Sequence, residues 1–143
     1  MATSSTVKQQ LSMSGEYGVC SELCKRGLDV SLTMGNAKAI DIFVKGSNGT
    51  YKTIEVKTSR SKRFVTGFFQ KYGDKSKLHP DYWVLVHIDK NNISHYYILT
   101  HDEMGQVQMA RNGMTEWGPV EGGVDNVLLA NVAAFEDQWH KIA

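Results

Sequence analysis

Three acidic residues and a lysine define the chemistry this sequence could carry: Glu16, Asp41, Glu55 and Lys57. Glu55 and Lys57 are separated by a single residue, so on a β-strand both side chains point to one face, away from Ile54 and Val56. Asp41 lies between Ile40 and Ile42 and points opposite to both in an extended segment. If the two segments close as a hairpin, Asp41 comes near Glu55 and Lys57. Two carboxylates so close repel each other unless a cation separates them. A hard divalent ion, Mg²⁺ with Mn²⁺ as a substitute, takes oxygen ligands and keeps several waters. Asp41, Glu55 and the backbone carbonyl of Val56 would be the protein's share of such a site. Lys57 would orient or help deprotonate an attacking water, or offset charge building on a phosphate.

Glu16 is an independent clue. At about 100° per residue it falls between Cys20 and Leu23, inside the apolar stripe of a helix. A carboxylate there is costly unless something satisfies it. Either it reaches the metal site as a further ligand, or it pairs locally with Lys25 or Arg26.

The elements that must position these residues follow from pattern. Apolar residues at helical spacing predict a helix over residues 9–26, stopped by Gly27, after a frayed, flexible stretch of residues 1–8. Residues 28–33 alternate as a strand and residues 34–38 turn. Residues 40–44 and 51–57 read as strands joined by the Gly46-Ser47-Asn48-Gly49 turn. Residues 81–89 are apolar on both faces, as in a central strand, and residues 93–99 run back beside them. Thr100 with Glu103 forms a capping box that opens a helix to about Ala110. Residues 111–123 read as loop, and residues 127–142 as a terminal helix with Val132, Phe135 and Trp139 on one side. The order predicts an α/β fold: an N-terminal helix, then a central mixed sheet of about five strands flanked by helices.

A length of 143 residues with 41% hydrophobic and 22% charged residues suits one domain, residues 1–143. No apolar run approaches the roughly 18 residues of a membrane span, and the polar first residues lack a secretory signal. Cys20 and Cys24 offer neither a disulfide framework nor zinc spacing. The expectation is a cytoplasmic protein without a membrane partner. Charge is unevenly spread: residues 57–80 hold seven basic residues against Asp74 alone, while residues 101–143 carry a net charge of −5. The basic stretch leaves directly from the Glu55-Lys57 strand, so Arg60, Lys62, Arg63, Lys71, Lys75 and Lys77 are candidates for gripping a nucleic-acid backbone. Phe64, Phe68, Phe69 and Tyr72 among them are either local core, a dimer contact or a stacking surface for bases. Of the histidines, His79 alone is kept near the site.

In Gly15-Glu16, Ile40-Asp41-Ile42, Ile54-Glu55-Val56-Lys57 and the following strand Tyr82-Trp83-Val84-Leu85-Val86, the sequence resembles the PD-(D/E)xK nuclease superfamily. The resemblance covers residues 12–99, leaving a C-terminal helical part over 100–143. It implies a restriction-endonuclease-like core, with Asp41 and Glu55 as metal ligands, Lys57 as the catalytic lysine and Glu16 as the helix acid. The motif's proline is absent, since Ala39-Ile40 precedes Asp41. Gln70 is the nearest counterpart of a glutamine found in some branches. The short length and the Gly-Glu helix look most like the resolvase-like branch. The implied function is a Mg²⁺-dependent DNA endonuclease acting as a homodimer, with branched DNA such as a Holliday junction as one substrate class. The rival readings are a catalytically inactive nucleic-acid- or protein-binding module on the same fold, and an RNA-directed nuclease.

Overall fold

The structure is a computed structural model and describes residues 4–33, 40–73, 78–116 and 123–142. Helix α1 (Ser4–Lys25) ends where Gly27 adopts φ 80°. There the Leu28 N–H reaches the Leu23 carbonyl and the Gly27 N–H reaches that of Cys24, a Schellman stop. The helix begins earlier than its apolar periodicity indicates. Residues 4–10 are exposed all round, so no stripe marks them, yet neither Gly nor Pro interrupts the run. The turn predicted at residues 34–38 lies outside the described residues.

Strands β1 (Asp29–Leu32), β2 (Ile42–Lys45), β3 (Tyr51–Ser59), β5 (Tyr82–Ile88) and β6 (Ser94–Thr100) form one mixed sheet in the order β1-β2-β3-β5-β6. Only β3 and β5 run parallel, with Glu55 beside Trp83 and Lys57 beside Leu85. Helix α1 covers one face, where Val19 and Leu23 meet Ile42, Ile54, Val56, Val84, Val86 and Ile98. Gly15 lets the helix seat directly on Thr58, since a Cβ there would stand 1.8 Å from Thr58 Oγ1. The opposite face packs Phe64, Phe68, Tyr72, Trp83, Leu85 and Leu99 against Met104 of α3 (His101–Arg111), a helix opened by the Thr100–Glu103 capping box.

Two predicted segments fold differently. Residues 58–80 are not merely irregular: they contain β4 (Arg63–Val65) and the short helix α2 (Phe68–Tyr72). Phe64, Phe68 and Tyr72 are buried, so these aromatics are core and not a base-stacking surface. The terminal helix over 127–142 does not form. Its residues divide into β7 (Asn126–Leu128), which pairs with β4, α4 (Leu129–Val132) and 3₁₀ turns at Ala133–Phe135 and Trp139–Lys141. Val132 packs on the α3 face and Trp139 on the α1 face, so one straight helix could not bury both. The chain instead passes round the β6 edge, where the Asp137 N–H donates to the Tyr96 carbonyl at 2.9 Å and Asp137 takes φ 56°.

Candidate active site

The last paired rung of the β2–β3 hairpin is Ile42 opposite Ile54. Immediately beyond it, Asp41 turns its carboxylate toward β3, and Oδ2 accepts the Val56 N–H at 2.8 Å. The Asp41 backbone is held by the end of β1, whose neighbour Thr33 donates to the Asp41 carbonyl from both its N–H (2.9 Å) and its hydroxyl (3.0 Å). Strand alternation in β3 sends Glu55 and Lys57 to the α3 face and leaves Val56 beneath α1. The carboxylates of Asp41 and Glu55 thus border one cleft of about 1150 Å³, lined also by Glu16, Val56, Lys57, Lys71, Tyr72 and His79. The first three turns of α1 form a wall of it through Ser5, Thr6, Lys8, Gln9 and Ser12. Residues expected to fray therefore border the site.

Glu55 is 4% exposed and Glu16 7% exposed, depths at which a carboxylate must be compensated. Around Glu55 the compensation is explicit. Lys71 Nζ lies 2.9 Å and Lys57 Nζ 3.4 Å from Oε1, and the Tyr72 hydroxyl donates to Oε2 at 3.3 Å. Burial pushes the Lys57 ammonium below its ordinary pKa, against the pull of Glu55 and assisted by the neighbouring Lys71 charge. At Lys71 burial also opposes the charge, but the hydrogen bond and charge of Glu55 outweigh it and the pKa rises. Burial and the Glu55 charge raise Tyr72, which stays a neutral donor. Lys25 and Arg26, the local partners considered for Glu16, both pair with Glu22, at 3.0 and 3.6 Å.

The carboxylates of Asp41, Glu55 and Glu16 and the Val56 carbonyl offer oxygen ligands, which suit a hard cation. Among the described residues no three His, Cys, Asp or Glu side chains converge to cage an ion. A cation here would therefore be held by few protein ligands and completed by water, as Mg²⁺ commonly is.

No family model matches the chain, and neither does any curated protein. Solved structures do. A bacterial homing endonuclease superposes with a TM-score of 0.60 at 11% identity, covering 93% of this chain and 90% of that one. A Holliday junction resolvase from the archaeal hyperthermophile Archaeoglobus fulgidus gives 0.51 at 13% identity, covering 91% and 93%. The fold is restriction-endonuclease-like.

In this restriction-endonuclease-like fold the site candidates divide. Lys57 and Lys71 face the cleft, whereas the basic Arg60, Lys62 and Arg63 and the neutral Gln70 are exposed and do not line it. Arg60 is engaged with Asn92 Oδ1 at 2.8 Å. Lys75 and Lys77 lie outside the described residues. Two residues hold roles that their sequence context does not signal. Tyr72 reads in sequence only as part of the aromatic cluster, and its contact with Glu55 depends on where α2 sits. Asp125, 56 positions from Phe69, accepts the Phe69 N–H at 2.8 Å and the Gln70 N–H at 3.0 Å, so it caps α2 from across the β4–β7 ribbon. A carboxylate two residues past Gly122-Gly123 signals only a turn or cap, without naming the helix it serves.

Proposed function

We propose that this chain is a divalent-metal-dependent DNA endonuclease that hydrolyses phosphodiester bonds. The observation that supports it most is the convergence of Asp41 and buried Glu55 on one cleft with the amine of Lys57 beside them. Mg²⁺ or Mn²⁺ held there would supply Lewis acidity toward a phosphate and a more acidic water. Asp41, Glu55 and the Val56 carbonyl would bind it, with Glu16, which lines the same cleft from α1, reaching it through water. Lys57 would position the attacking water and donate to the phosphate oxygen on which charge accumulates. The basic side chains leaving β3 would hold the backbone of the nucleic acid, the part of the duplex that carries charge but no sequence. A symmetric homodimer would bring two such clefts to two strands. Branched DNA is the substrate class we favour, since one of the two fold neighbours described above is a Holliday junction resolvase.

A second reading, a binding module without activity, draws on the same geometry. Glu55 is already satisfied by Lys71, Lys57 and Tyr72 and has no immediate need of an ion. Cleavage of supercoiled plasmid and of a four-way DNA junction, with Mg²⁺, with Mn²⁺ and with chelator, decides between them. The endonuclease reading expects cutting that requires the ion and falls about 10²–10⁴-fold in Lys57→Ala, the worth of a positioned acid–base group. Junction binding without ion-dependent cutting would establish the module instead. Cutting that survives in both Asp41→Ala and Lys57→Ala would remove these residues from the mechanism.

A further inference from the structure

We propose that Lys71 is the exchangeable counter-cation of Glu55, holding the carboxylate while no metal is bound and yielding its place when a divalent ion loads. The inference rests on the metal-dependent reading above and adds a positioning residue to it. Glu55 is 4% exposed, and a carboxylate at that depth cannot stand unpaired without a large penalty. Among the described residues its closest cation is Lys71, at 2.9 Å from Oε1, and not Lys57, at 3.4 Å from the same atom. One carboxylate oxygen thus serves two ammonium groups, an arrangement that also sets those groups against each other.

The two lysines are anchored differently. Lys57 projects from within β3, two residues before its end, with 28% of its side chain exposed, and the strand fixes its root. Lys71 reaches in from α2 with 47% of its side chain exposed, so its stem can rotate through solvent without displacing core. The helix itself is pinned. Asp125 accepts two of its N–H groups, Phe68 is buried, and Tyr72 is buried with its hydroxyl on Glu55 Oε2. An exchange is then a rotation of one side chain and not a movement of the helix. Tyr72 retains Oε2, which leaves Oε1 as the atom contested between ammonium and metal. Displaced, the ammonium stays on the rim of the cleft, where a phosphate of a bound polyanion is its natural acceptor. The same residue would thus keep the empty site neutral and grip the substrate once the site is loaded.

The test uses the full chain and Mn²⁺ alone. Titration calorimetry is run on wild type, on Lys71→Met, and on Lys45→Met as a control at an exposed lysine outside the cleft. Alongside it, acylation of lysine amines in the wild type is followed by mass spectrometry in chelator and in saturating Mn²⁺. We expect Lys71→Met to bind Mn²⁺ about tenfold more tightly or better, the worth of one charge-assisted hydrogen bond, with Lys45→Met unchanged. We also expect Lys71, and not Lys45, to become more reactive when Mn²⁺ is added. Uptake seen only in Lys71→Met would support the exchange in its strongest form. Equal affinities in wild type and Lys71→Met, or a Lys71 equally protected with the ion bound, would overturn the proposal and leave the metal site standing. No uptake by any of the three would overturn both. The acylation arm needs no substitution, so a poorly folded variant does not rescue the idea.

Discussion

Asp41 has a structural task and, under the proposed function, a chemical one, both served by one side chain. Its Oδ2 satisfies the Val56 N–H beyond the last rung of the hairpin, and its carboxylate faces the cleft. The two tasks separate by substitution. Asp41→Asn keeps an acceptor for the amide but loses the charge, so thermal stability should stay near wild type while Mn²⁺ affinity and cleavage collapse. Asp41→Ala strands a buried N–H and should lose about 1–3 kcal/mol as well, read by urea denaturation. His101 is a second residue with a measurable signature. Burial, then the stacked His79, lowers its pKa from 6.5 to about 4, and its Nδ1 accepts the Trp83 indole N–H at 3.1 Å. Asp102 and Asp81 pull the other way and do not prevail. Below pH 6.5 the unfolded chain takes up a proton that the folded one refuses until about pH 4, so this group costs stability as pH falls through that window. Above it, both states are neutral and the effect vanishes. His101→Gln, which keeps an acceptor for Trp83, should show a flatter fall in melting temperature between pH 6.5 and 4 than wild type.

At the scale of elements, the site depends on how closely α1 approaches β3 and on what holds α2. A methyl group at Gly15 would meet Thr58 Oγ1 at 1.8 Å and Cβ at 2.9 Å, so Gly15→Ala must push the helix off the strand. It should cost about 1–3 kcal/mol by denaturant midpoint and move Glu16 away from the cleft. Adding Thr58→Ala should restore only part of that, since the Cβ clash remains. For α2 the N-cap is Gly67, in the left-handed region with no side chain to cap, and Asp125 supplies the acceptor from far along the chain. Asp125→Ala should lose about 1 kcal/mol, the usual worth of a cap, and speed amide exchange in α2. The β2–β3 hairpin and the α3 capping box are legible in sequence because turn and cap chemistry is local. The helix α2 is not, because five residues carry no periodicity and their stabilising carboxylate is remote.

Across the whole molecule, the last residues close the core on both sides of the sheet. Trp139 is 3% exposed beneath Arg26, whose guanidinium sits 4.8 Å from the ring, while Val132 is buried on the other face. Trp139→Ala should cost about 3–5 kcal/mol by equilibrium unfolding. Trp139→Phe should cost much less, since the buried indole N–H has no hydrogen-bond partner among the described residues to lose. A helical reading of 127–142 fails because apolar spacing says that residues are buried, not on which face of a sheet they are buried. Among the described residues no helix is long and apolar enough to cross a membrane.

The amino-acid sequence alone determined the alternation that puts Glu55 and Lys57 on one face, the hairpin that carries Asp41 toward them, and the helix bearing Glu16. All are consequences of backbone period and turn chemistry, which act over a few residues. Tertiary structure decided the rest: that Lys71 and Tyr72 close on Glu55, that Asp125 holds their helix, and that Trp139 crosses to the opposite face from Val132. Those pairings join residues 16 to 56 positions apart or opposite sides of a sheet. Contacts at that range are selected by which buried charges and apolar surfaces can be satisfied together, a property of the assembled chain.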